Sequence, residues 1–434
     1  MDSSTSGPRF FKPAAKPRPA SGRELQVRIE RLSDEGRGIG FAQGKTIFVP
    51  NTLVGETVQV RILDERRHTA EAEMLALVEA APNRTAPHCA LFGRCGGCQL
   101  QVLDVEAQLR HKRQVLAHLL APFANAKNFQ WADPVVAAPW GYRHRARLSV
   151  ADSQGSPVVG FKGMHSHRVV AVSSCPILDD RLQALLQSLP EWLAQLGHWR
   201  RVEELLVAVD SDGRLAVDWI AQRAFPKVDA DAMARLLRSA GIEVGPDVDL
   251  RYRNPQTGSE FYYRMRDFTQ INPAVNDALI QRVLDWLAPA TEDVVADLFC
   301  GLGNFSLPLA RRVGQLEGFE SSLGMIERAG RNAGGGFANT HFTMLDLFEQ
   351  ADQLPDRYNK ILLDPPRAGA KAACVRLATF KQLRHIVYVS CNPQTLVRDL
   401  EILRDGGFVL ERAALVDMFP QTGHVETIVK LSRV

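Results

Sequence analysis

The sequence lacks several features that would assign it at once to a class of protein. It contains no uninterrupted run of about 18 apolar residues, which a membrane-spanning helix requires. Its charge is nearly balanced, because 52 Lys and Arg stand against 49 Asp and Glu and leave a formal net charge of +3, so any basic surface must be local. The N-terminal segment has no apolar core of the secretory type. Seven cysteines, an odd number, then favour a reducing compartment, and we expect a cytoplasmic protein.

The 434 residues, 45% of them hydrophobic, are too many for one ordinary compact domain. Four segments of a multidomain protein are predicted. The basic, Pro-rich residues 1–23 predict a flexible arm. Residues 24–80 alternate β-branched runs with Gly turns and predict a small barrel of about five strands, like an oligonucleotide-binding (OB) barrel. Residues 81–260 predict an α+β domain on an antiparallel sheet, and residues 261–434 a parallel, doubly wound, Rossmann-like α/β domain.

A helix is predicted after the first cysteines of the chain. The stretch VEAQLRHKRQVLAHLLAPF, which begins at Val105, carries apolar residues at helical spacing. Four consecutive basic residues interrupt it, namely Arg110, His111, Lys112 and Arg113. The pattern therefore predicts an amphipathic helix with one basic face.

Three cysteines lie close together in an irregular segment rich in Gly and Pro. Cys89, Cys95 and Cys98 have the spacing Cys-x5-Cys-x2-Cys, and Cys175 follows a predicted strand. Glycines allow the backbone to wrap around a metal centre, and a fourth thiolate would complete its coordination. Four thiolates suit either a tetrahedral zinc ion or an iron–sulfur cluster. The number of thiols alone favours zinc.

A glycine-containing turn follows the first strand of the predicted parallel sheet. It reads Asp-Leu-Phe-Cys-Gly-Leu-Gly-Asn over residues 297–304, and the third glycine of a dinucleotide fingerprint is replaced by Ser306. The second strand ends at Glu320, where a carboxylate can accept hydrogen bonds from a ribose diol. S-adenosylmethionine and nicotinamide cofactors both carry this diol. The missing glycine favours S-adenosylmethionine.

Three further strands bring reactive side chains to the same predicted edge. Asp364 precedes two prolines, so its carboxylate can be held rigidly toward the N–H of a planar base, although a helix cap is the alternative. Cys391 follows a buried strand and lies just before a helix that begins near Pro393, where the helix dipole favours a thiolate. Glu426 lies just before the last strand. These positions predict a nucleophile and carboxylates at one site.

Taken together, these motifs resemble the RNA uracil-C5 methyltransferases, and in particular the 23S rRNA members that carry an N-terminal TRAM barrel and a four-iron, four-sulfur (4Fe–4S) cluster. The resemblance covers nearly the whole chain beyond the first twenty or so residues. Its motifs, in chain order, are GRGIGF, FVPNTLVGE, the Cys-x5-Cys-x2-Cys set with its distant fourth Cys, FTQINP, DLFCGLGNFS, LLDPPRAGA, VSCNP and HVE.

The resemblance implies a fold, an activity and a set of site residues. It implies that Cys391 is the nucleophile and Glu426 the proton acceptor. It also implies that the metal centre is a 4Fe–4S cluster with a structural role, rather than a zinc ion. The implied cluster ligands are Cys89, Cys95, Cys98 and Cys175, and the implied S-adenosylmethionine-binding residues are Gln270, Phe299, Asn304, Glu320, Asp346 and Asp364.

The substrate implied by the resemblance is 23S rRNA, because the TRAM barrel and the cluster occur together in those members. The alternatives are a uridine of tRNA or another rRNA uridine, or a non-catalytic RNA-binding protein that retains the cofactor domain. Neither a membrane nor an obligate protein partner is expected. The basic segment GYRHRARL offers candidates for RNA contacts, or merely a solvated strand edge, in Arg143, His144, Arg145 and Arg147.

Overall fold

The computed structural model describes residues 22–124, 128–164, 166–222 and 225–433. Of the predicted arm at residues 1–23, all but the last two lie outside the described residues. Contacts between residues divide the chain into two compact units, residues 1–84 and residues 85–434. No helix in the described part of the chain is long and apolar enough to cross a membrane.

The first unit contains the predicted barrel. The alternation of apolar and polar residues directs Val27, Val58 and Val60 into its core. Gly40 lets two strands approach closely, since a Cβ there would lie 2.4 Å from the carbonyl oxygen of Arg28. The barrel is closed in the order β1-β2-β3-β5-β4. Its strands are β1 (Glu24–Leu32), β2 (Gly38–Ala42), β3 (Lys45–Val49), β4 (Thr57–Glu65) and β5 (Thr69–Glu79).

In the second unit, the cysteine-containing segment leads into helix α1 (Val105–Leu120), where the sequence predicts a helix. The helix begins after Asp104, whose side chain accepts a hydrogen bond of 2.7 Å from the N–H of Ala107. The predicted basic face is wrong for two of its four members, because His111 and Lys112 are buried. Lys112 is directed inward by a buried carboxylate that the local pattern could not reveal.

The middle of the chain forms the predicted antiparallel sheet, packed against two helices. Its order is β12-β11-β10-β7-β8-β9, and only the short pair of β11 and β12 is parallel. A separate hairpin follows this sheet. Strand β6 (Gln130–Trp131) precedes these elements in the chain but pairs with the last sheet, described below. The other elements of this part of the chain are β7 (Arg145–Ser153), β8 (Ser156–Lys162), β9 (Val169–Ala171), α2 (Asp180–Ala194), β10 (Val202–Val209), β11 (Leu215–Ala221), α3 (Lys227–Ser239), β12 (Glu243–Val244), β13 (Leu250–Arg253) and β14 (Glu260–Tyr263).

The last third of the chain forms an eight-stranded sheet in the order β17-β16-β15-β18-β19-β21-β20-β6. The five strands from β17 to β19 in this order are parallel, as predicted, and β21 is antiparallel to both of its neighbours. The predicted domain boundary between residues 260 and 261 falls within β14. The elements are α4 (Pro273–Leu287), β15 (Val294–Leu298), α5 (Ser306–Ala310), β16 (Gln315–Glu320), α6 (Leu323–Ala333), β17 (Thr340–Met344), β18 (Lys360–Leu363), α7 (Lys371–Ala378), β19 (His385–Ser390), α8 (Pro393–Asp405), β20 (Phe408–Val416) and β21 (Glu426–Arg433).

Helices cover both faces of this sheet and create two buried cores. Strands β15, β18 and β19 are almost continuously apolar, as expected for strands buried on both faces. The chain runs from β15 to β16 and β17 on one side, then returns to β18 and β19 on the other. This reversal opens a crevice at the carboxyl ends of β15 and β18, where ligands bind in doubly wound sheets.

Candidate active site

Six predicted site residues meet at the carboxyl edge of the parallel strands. Phe299, Asp346 and Asp364 follow β15, β17 and β18, while Glu320 ends β16. Cys391 follows β19, and in the antiparallel pair Ser390 lies opposite Thr427. Glu426, the first residue of β21, therefore starts at the same edge as Cys391. Separate motifs up to 127 residues apart in the chain are thus brought together by the strand order.

Cys391 lies at the entrance to α8. Asn392 caps this helix, because its side chain accepts a hydrogen bond of 3.2 Å from the N–H of Gln394. Burial raises the pKa of the Cys391 thiol to about 11, and the nearby carboxylates of Glu426 and Asp364 contribute to the rise. The predicted advantage of the helix dipole is therefore outweighed, and the sulfur of the free enzyme is a thiol at neutral pH.

Glu426 is a buried carboxyl group, 5% exposed. Burial raises its pKa to about 8, with a further contribution from Asp364, whereas the positive charge of Lys112 acts in the opposite direction. Its Oε2 atom has no hydrogen-bond partner among the described residues. A carboxylate with an available oxygen and a pKa near neutrality is well suited to accept a proton.

The segment after β18 is held firmly against α8. The side chain of Asn392 donates to the carbonyl oxygen of Arg367 at 3.0 Å, and the N–H of Ala370 donates to the buried carboxylate of Asp399 at 2.6 Å. These bonds fix the turn that follows Asp364. Burial raises the pKa of Asp364 to about 7, and the negative charge of Asp297 raises it further.

The glycine turn after β15 has the backbone that its sequence requires. Gly301 and Gly303 have φ angles of 57° and 91°, and Phe299 adopts a positive φ of 65°, which is uncommon for a residue with a side chain. Beneath the turn, the buried carboxylate of Asp297 accepts a hydrogen bond from the hydroxyl of Ser306. Burial raises the pKa of Asp297 to about 7. Ser306, at the missing third glycine, thus fixes this turn.

Asn304, at the end of the turn, is oriented by a residue that lies outside the sequence motifs. The carboxamides of Asn304 and Asn276 exchange two hydrogen bonds of 2.9 and 3.0 Å. Asn276 lies on α4 and is 1% exposed, and it also donates to the hydroxyl of Tyr252 at 2.7 Å. An Asn on a buried helix face, five residues after FTQI, was the available signal.

The two remaining acidic residues at the carboxyl edge, Glu320 and Asp346, accept hydrogen bonds from backbone N–H groups. Glu320 accepts a hydrogen bond of 3.0 Å from the N–H of Ser322. Asp346 accepts one of 2.9 Å from the N–H of Phe348, whose ring lies 5.7 Å from that of Phe299. Each carboxylate is therefore fixed beside its own turn.

Gln270 lies just before α4 and does not follow a strand of the sheet as the other residues do. It lines a small cavity together with Thr269, Tyr263 and Arg145. Arg145 donates to Thr269 Oγ1 at 2.5 Å and to the carbonyl oxygen of Met265 at 2.6 Å. Arg145, a candidate for RNA contact in the sequence, therefore positions the segment that carries Gln270.

The four predicted ligand cysteines are near enough to influence one another's ionisation. The pKa of the Cys98 thiol is raised to about 12 by burial, and the other three sulfurs contribute to this rise. The N–H of Gly97 donates to Cys95 Sγ at 3.4 Å. No group of three or more His, Cys, Asp or Glu side chains arranged to hold one metal ion is found in the described part of the chain.

Two protein families match separate parts of the chain. Residues 20–75 match the TRAM domain, and residues 238–434 match the family described as tRNA (Uracil-5-)-methyltransferase. The Pyrococcus abyssi tRNA (uracil-54, C5)-methyltransferase in complex with S-adenosyl-L-homocysteine superposes with a TM-score of 0.72 over 94% of this chain and 100% of that one. At 22% identity this likeness shows the fold. The fold, the edge site and these matches define an S-adenosylmethionine-dependent methyltransferase with a TRAM barrel.

Curated relatives narrow the class further. The chain is 38% identical, over 94% of both chains, to the 23S rRNA (uracil(1939)-C(5))-methyltransferase RlmD of Pseudomonas savastanoi pv. phaseolicola. It is 39% identical, again over 94% of both chains, to the protein of the same name from Pseudomonas aeruginosa. The chain belongs to the RNA uracil-C5 methyltransferase family.

Proposed function

We propose that this enzyme forms 5-methyluridine at uracil 1939 of 23S rRNA. The substrate is that of the relatives named above, which match along almost the full length of the chain. The observation that carries the proposed chemistry is the meeting of Cys391 with the buried carboxylate of Glu426 at the strand edge. Action on ribosomal RNA implies a cytoplasmic enzyme.

The reaction begins with addition of the Cys391 sulfur to C6 of uracil. Since C5 of uracil is a weak nucleophile, this addition is needed to place negative charge on C5. The pKa of about 11 keeps the sulfur protonated beforehand, so the thiol proton must leave during the addition, and it leaves to water. The bound S-adenosylmethionine supplies the methyl group to C5.

Glu426 completes the reaction. Its carboxylate accepts the C5 proton, the electron pair of that C–H bond restores the C5–C6 double bond, and the Cys391 sulfur leaves as thiolate. A pKa of about 8 suits this step, since a general base works best with a pKa near the operating pH. Asp364, whose charge acts on Glu426, holds the base through its N3–H. A base stacked in an RNA helix cannot reach this site, so the target must be unpaired or flipped out.

The cofactor side of the strand edge binds S-adenosylmethionine in this proposal. Glu320 accepts hydrogen bonds from the ribose, while Phe299 and Phe348 provide apolar contact for the purine. The fixed carboxamide of Asn304 and the turn at Gly301 and Gly303 belong to the same cofactor site. The sequence also assigned Gln270, Asp346 and Asp364 to the cofactor, and Asp364 has in addition the role toward the base given above.

The four cysteines hold a 4Fe–4S cluster in this proposal. Such a cluster bonds one thiolate to each iron, so its four thiolates need not meet at a single ion. Mutual influence among all four sulfurs, together with the N–H bond to Cys95 Sγ, fits this donor set. Protein purified without oxygen should be brown and contain about four irons per chain. Stoichiometric zinc without iron would contradict the assignment.

The barrel contributes to RNA binding. Arg28, Arg31 and Arg67 are exposed on it and make no ion pair with a described carboxylate, whereas Arg61 pairs with Glu24 and Glu73. Replacing the first three by Gln should weaken RNA binding and reduce its dependence on salt. Arg61→Gln serves as the control, and an unchanged salt dependence in the triple variant would exclude these contacts.

The proposed activity is tested directly by mapping the methyl group. Purified enzyme is incubated with labelled S-adenosylmethionine and either a 23S rRNA fragment that contains uracil 1939 or unmodified tRNA, and mass spectrometry locates 5-methyluridine. We expect one methyl group at uracil 1939. Methylation of tRNA instead would assign the tRNA alternative, and no methylation of either RNA would favour a non-catalytic RNA-binding protein.

A further inference from the structure

We propose that Gln108 and Lys112 of α1 are positioning residues for Glu426. They act through the loop of residues 417–425, which connects β20 to β21 and leads directly into Glu426. The inference rests on the proposed role of Glu426 as proton acceptor. It adds to that role a set of contacts from a part of the chain about 300 residues away.

Lys112 holds the start of the 417–425 loop. Its ammonium group donates to Asp417 Oδ1 at 2.6 Å and to the carbonyl oxygen of Phe419 at 3.0 Å. The Lys112 side chain is 0% exposed. Burying an ammonium group is costly unless it is paired, so this lysine is retained in the interior by these loop contacts. One residue thereby fixes two points of the loop.

Gln108 holds the middle of the loop, one helical turn before Lys112. Its carboxamide donates to Gln421 Oε1 at 2.9 Å and accepts from the N–H of Gln421 at 3.0 Å. Gln421 has a positive φ of 68° and is 1% exposed. A residue in this sparsely populated conformation persists where its surroundings fix it.

The segment that carries the cysteines reinforces the same loop. The N–H groups of Gln99 and Leu100, next to Cys98, both donate to the carbonyl oxygen of Gln421 at 3.0 Å. The buried hydroxyl of Tyr142 donates to the carbonyl oxygen of Pro420 at 3.0 Å. The loop is therefore bonded at Asp417, Phe419, Pro420 and Gln421 by groups from residues 99–142.

The charges around Glu426 explain why Lys112 matters for chemistry as well as for folding. Lys112 is the buried cation that acts on Glu426. The other groups that face Glu426 are Asp417 at the end of β20, Asp364 and Arg367 after β18, and Cys391 after β19. Without the ammonium group, Asp417 would face Glu426 as an uncompensated charge or bind a proton itself.

The inference predicts a defect in one step of the reaction. Glu426 is needed when the C5 proton leaves, the C5–C6 double bond re-forms and the bond from C6 to Cys391 Sγ breaks. Addition of the sulfur and transfer of the methyl group come before that step. A misplaced Glu426 should therefore leave methylated RNA covalently attached to Cys391, whereas a general loss of folding would reduce every step.

The experiment uses the full chain with Lys112→Met, Gln108→Leu and Glu426→Gln. The control is Arg110→Met, which changes an exposed residue of the same helix. Each protein receives the 23S rRNA fragment and methyl-labelled S-adenosylmethionine, and a denaturing gel separates label in the covalent adduct from label in free RNA. We expect Lys112→Met and Gln108→Leu to slow RNA release by about tenfold to a hundredfold, with the adduct accumulating.

A second substrate separates positioning from folding. RNA with 5-fluorouridine at the target has no C5 proton to lose, so formation of its adduct does not require Glu426. Lys112→Met should form this adduct at the wild-type rate and bind S-adenosylmethionine normally. Should Lys112→Met fail to fold, Gln108→Leu and Asp417→Asn provide the same comparison.

The pH dependence of RNA release supplies a signature that a structural role would not produce. Loss of the Lys112 ammonium should move the midpoint of the release profile to higher pH, because a positive charge near Glu426 is removed. Loss of the Asp417 carboxylate in Asp417→Asn should move it to lower pH. Equal or absent shifts would contradict the inference.

The outcomes distinguish this inference from the proposed function. If Glu426→Gln releases RNA as fast as the wild type, Glu426 is not the proton acceptor and the proposed function is wrong in that step. If Glu426→Gln accumulates adduct but Lys112→Met and Gln108→Leu behave like Arg110→Met, the proposed function stands and the positioning role is wrong.

Discussion

The two sides of the active-site edge differ in how their polar groups are satisfied. On the cofactor side, at the ends of β15, β16 and β17, Asn304 is paired with Asn276, and Glu320 accepts from a backbone N–H. On the catalytic side, at β18, β19 and β21, the carboxyl groups of Asp364 and Glu426 and the thiol of Cys391 face one another. The polar groups of the cofactor side are thus paired by internal hydrogen bonds, whereas the acidic groups of the catalytic side lie near one another.

This difference agrees with the function proposed for each side, namely cofactor binding on one and catalysis on the other. Recognition of a cofactor needs donors and acceptors that are already oriented, because ordering them during binding would cost affinity. Proton transfer needs a general base whose pKa is displaced toward the operating pH, and burial beside Asp364 displaces the pKa of Glu426 in this way. Substitutions on the catalytic side should therefore alter rates, and those on the cofactor side should alter affinity.

The largest effect is expected for Cys391→Ala. Removal of the sulfur eliminates the bond to C6, so methyl transfer should fall below detection. Binding of S-adenosylmethionine should remain nearly unchanged, because Cys391 lies on the other side of the edge. Methyl incorporation and isothermal titration calorimetry provide the two measurements, and turnover comparable to the wild type would exclude covalent catalysis.

The next largest effect is expected for Glu426→Gln. A general base contributes about a hundredfold to ten-thousandfold, so RNA release should slow by that order and the adduct should accumulate. In the wild type, Glu426 is ionised above its pKa of about 8, so release should slow by about tenfold for each pH unit below that value. The variant should lose this dependence on pH. Single-turnover rates of RNA release, measured from about pH 6 to about pH 9 so that they span the pKa of Glu426, would test this.

The sequence allowed much of this site to be predicted, because its residues follow strands. Asp364 and Cys391 each come directly after an apolar run, and parallel strands end at one edge of a sheet. The local sequence was therefore sufficient to predict that Asp364 and Cys391 lie at the same edge of the sheet. The family, the barrel and the doubly wound sheet were likewise predicted and confirmed. The roles of the individual site residues remain predictions.

The contacts that hold these residues in place could not be predicted in the same way. Lys112 and Asp417 lie 305 positions apart, and each alone is an ordinary polar residue in an amphipathic segment. Because helical periodicity reports only which face a residue occupies, it assigned Lys112 to a solvated basic face. The pairing depends on tertiary packing and leaves no local signal. The pairing of Asn276 with Asn304 depends on tertiary packing in the same way, although the position of Asn276 on a buried helix face was itself a signal.

Replacing Arg367 tests the electrostatics of the catalytic side without removing a reacting group. Its positive charge lowers the pKa values of both Cys391 and Glu426. In Arg367→Gln both values should rise, so less thiolate is available and adduct formation with 5-fluorouridine RNA should slow by about threefold to tenfold at saturating RNA. The exposed Lys371→Gln, a few residues further on, is the control. An unchanged rate would show that Arg367 does not influence the thiol.

The smallest effect is expected on the cofactor side, for Asn276→Leu. The new side chain has a similar size but cannot orient the carboxamide of Asn304, and losing a hydrogen bond of this kind costs about 1 kcal/mol. Affinity for S-adenosylmethionine should therefore fall by about fivefold, with the ratio of adduct to free methylated RNA unchanged. The exposed Asp285→Asn on the same helix is the control. If Asn276→Leu instead caused the adduct to accumulate, a hydrogen bond on the cofactor side would be acting on proton transfer on the catalytic side. The division of the active site into a side that sets affinity and a side that sets rate would then be wrong.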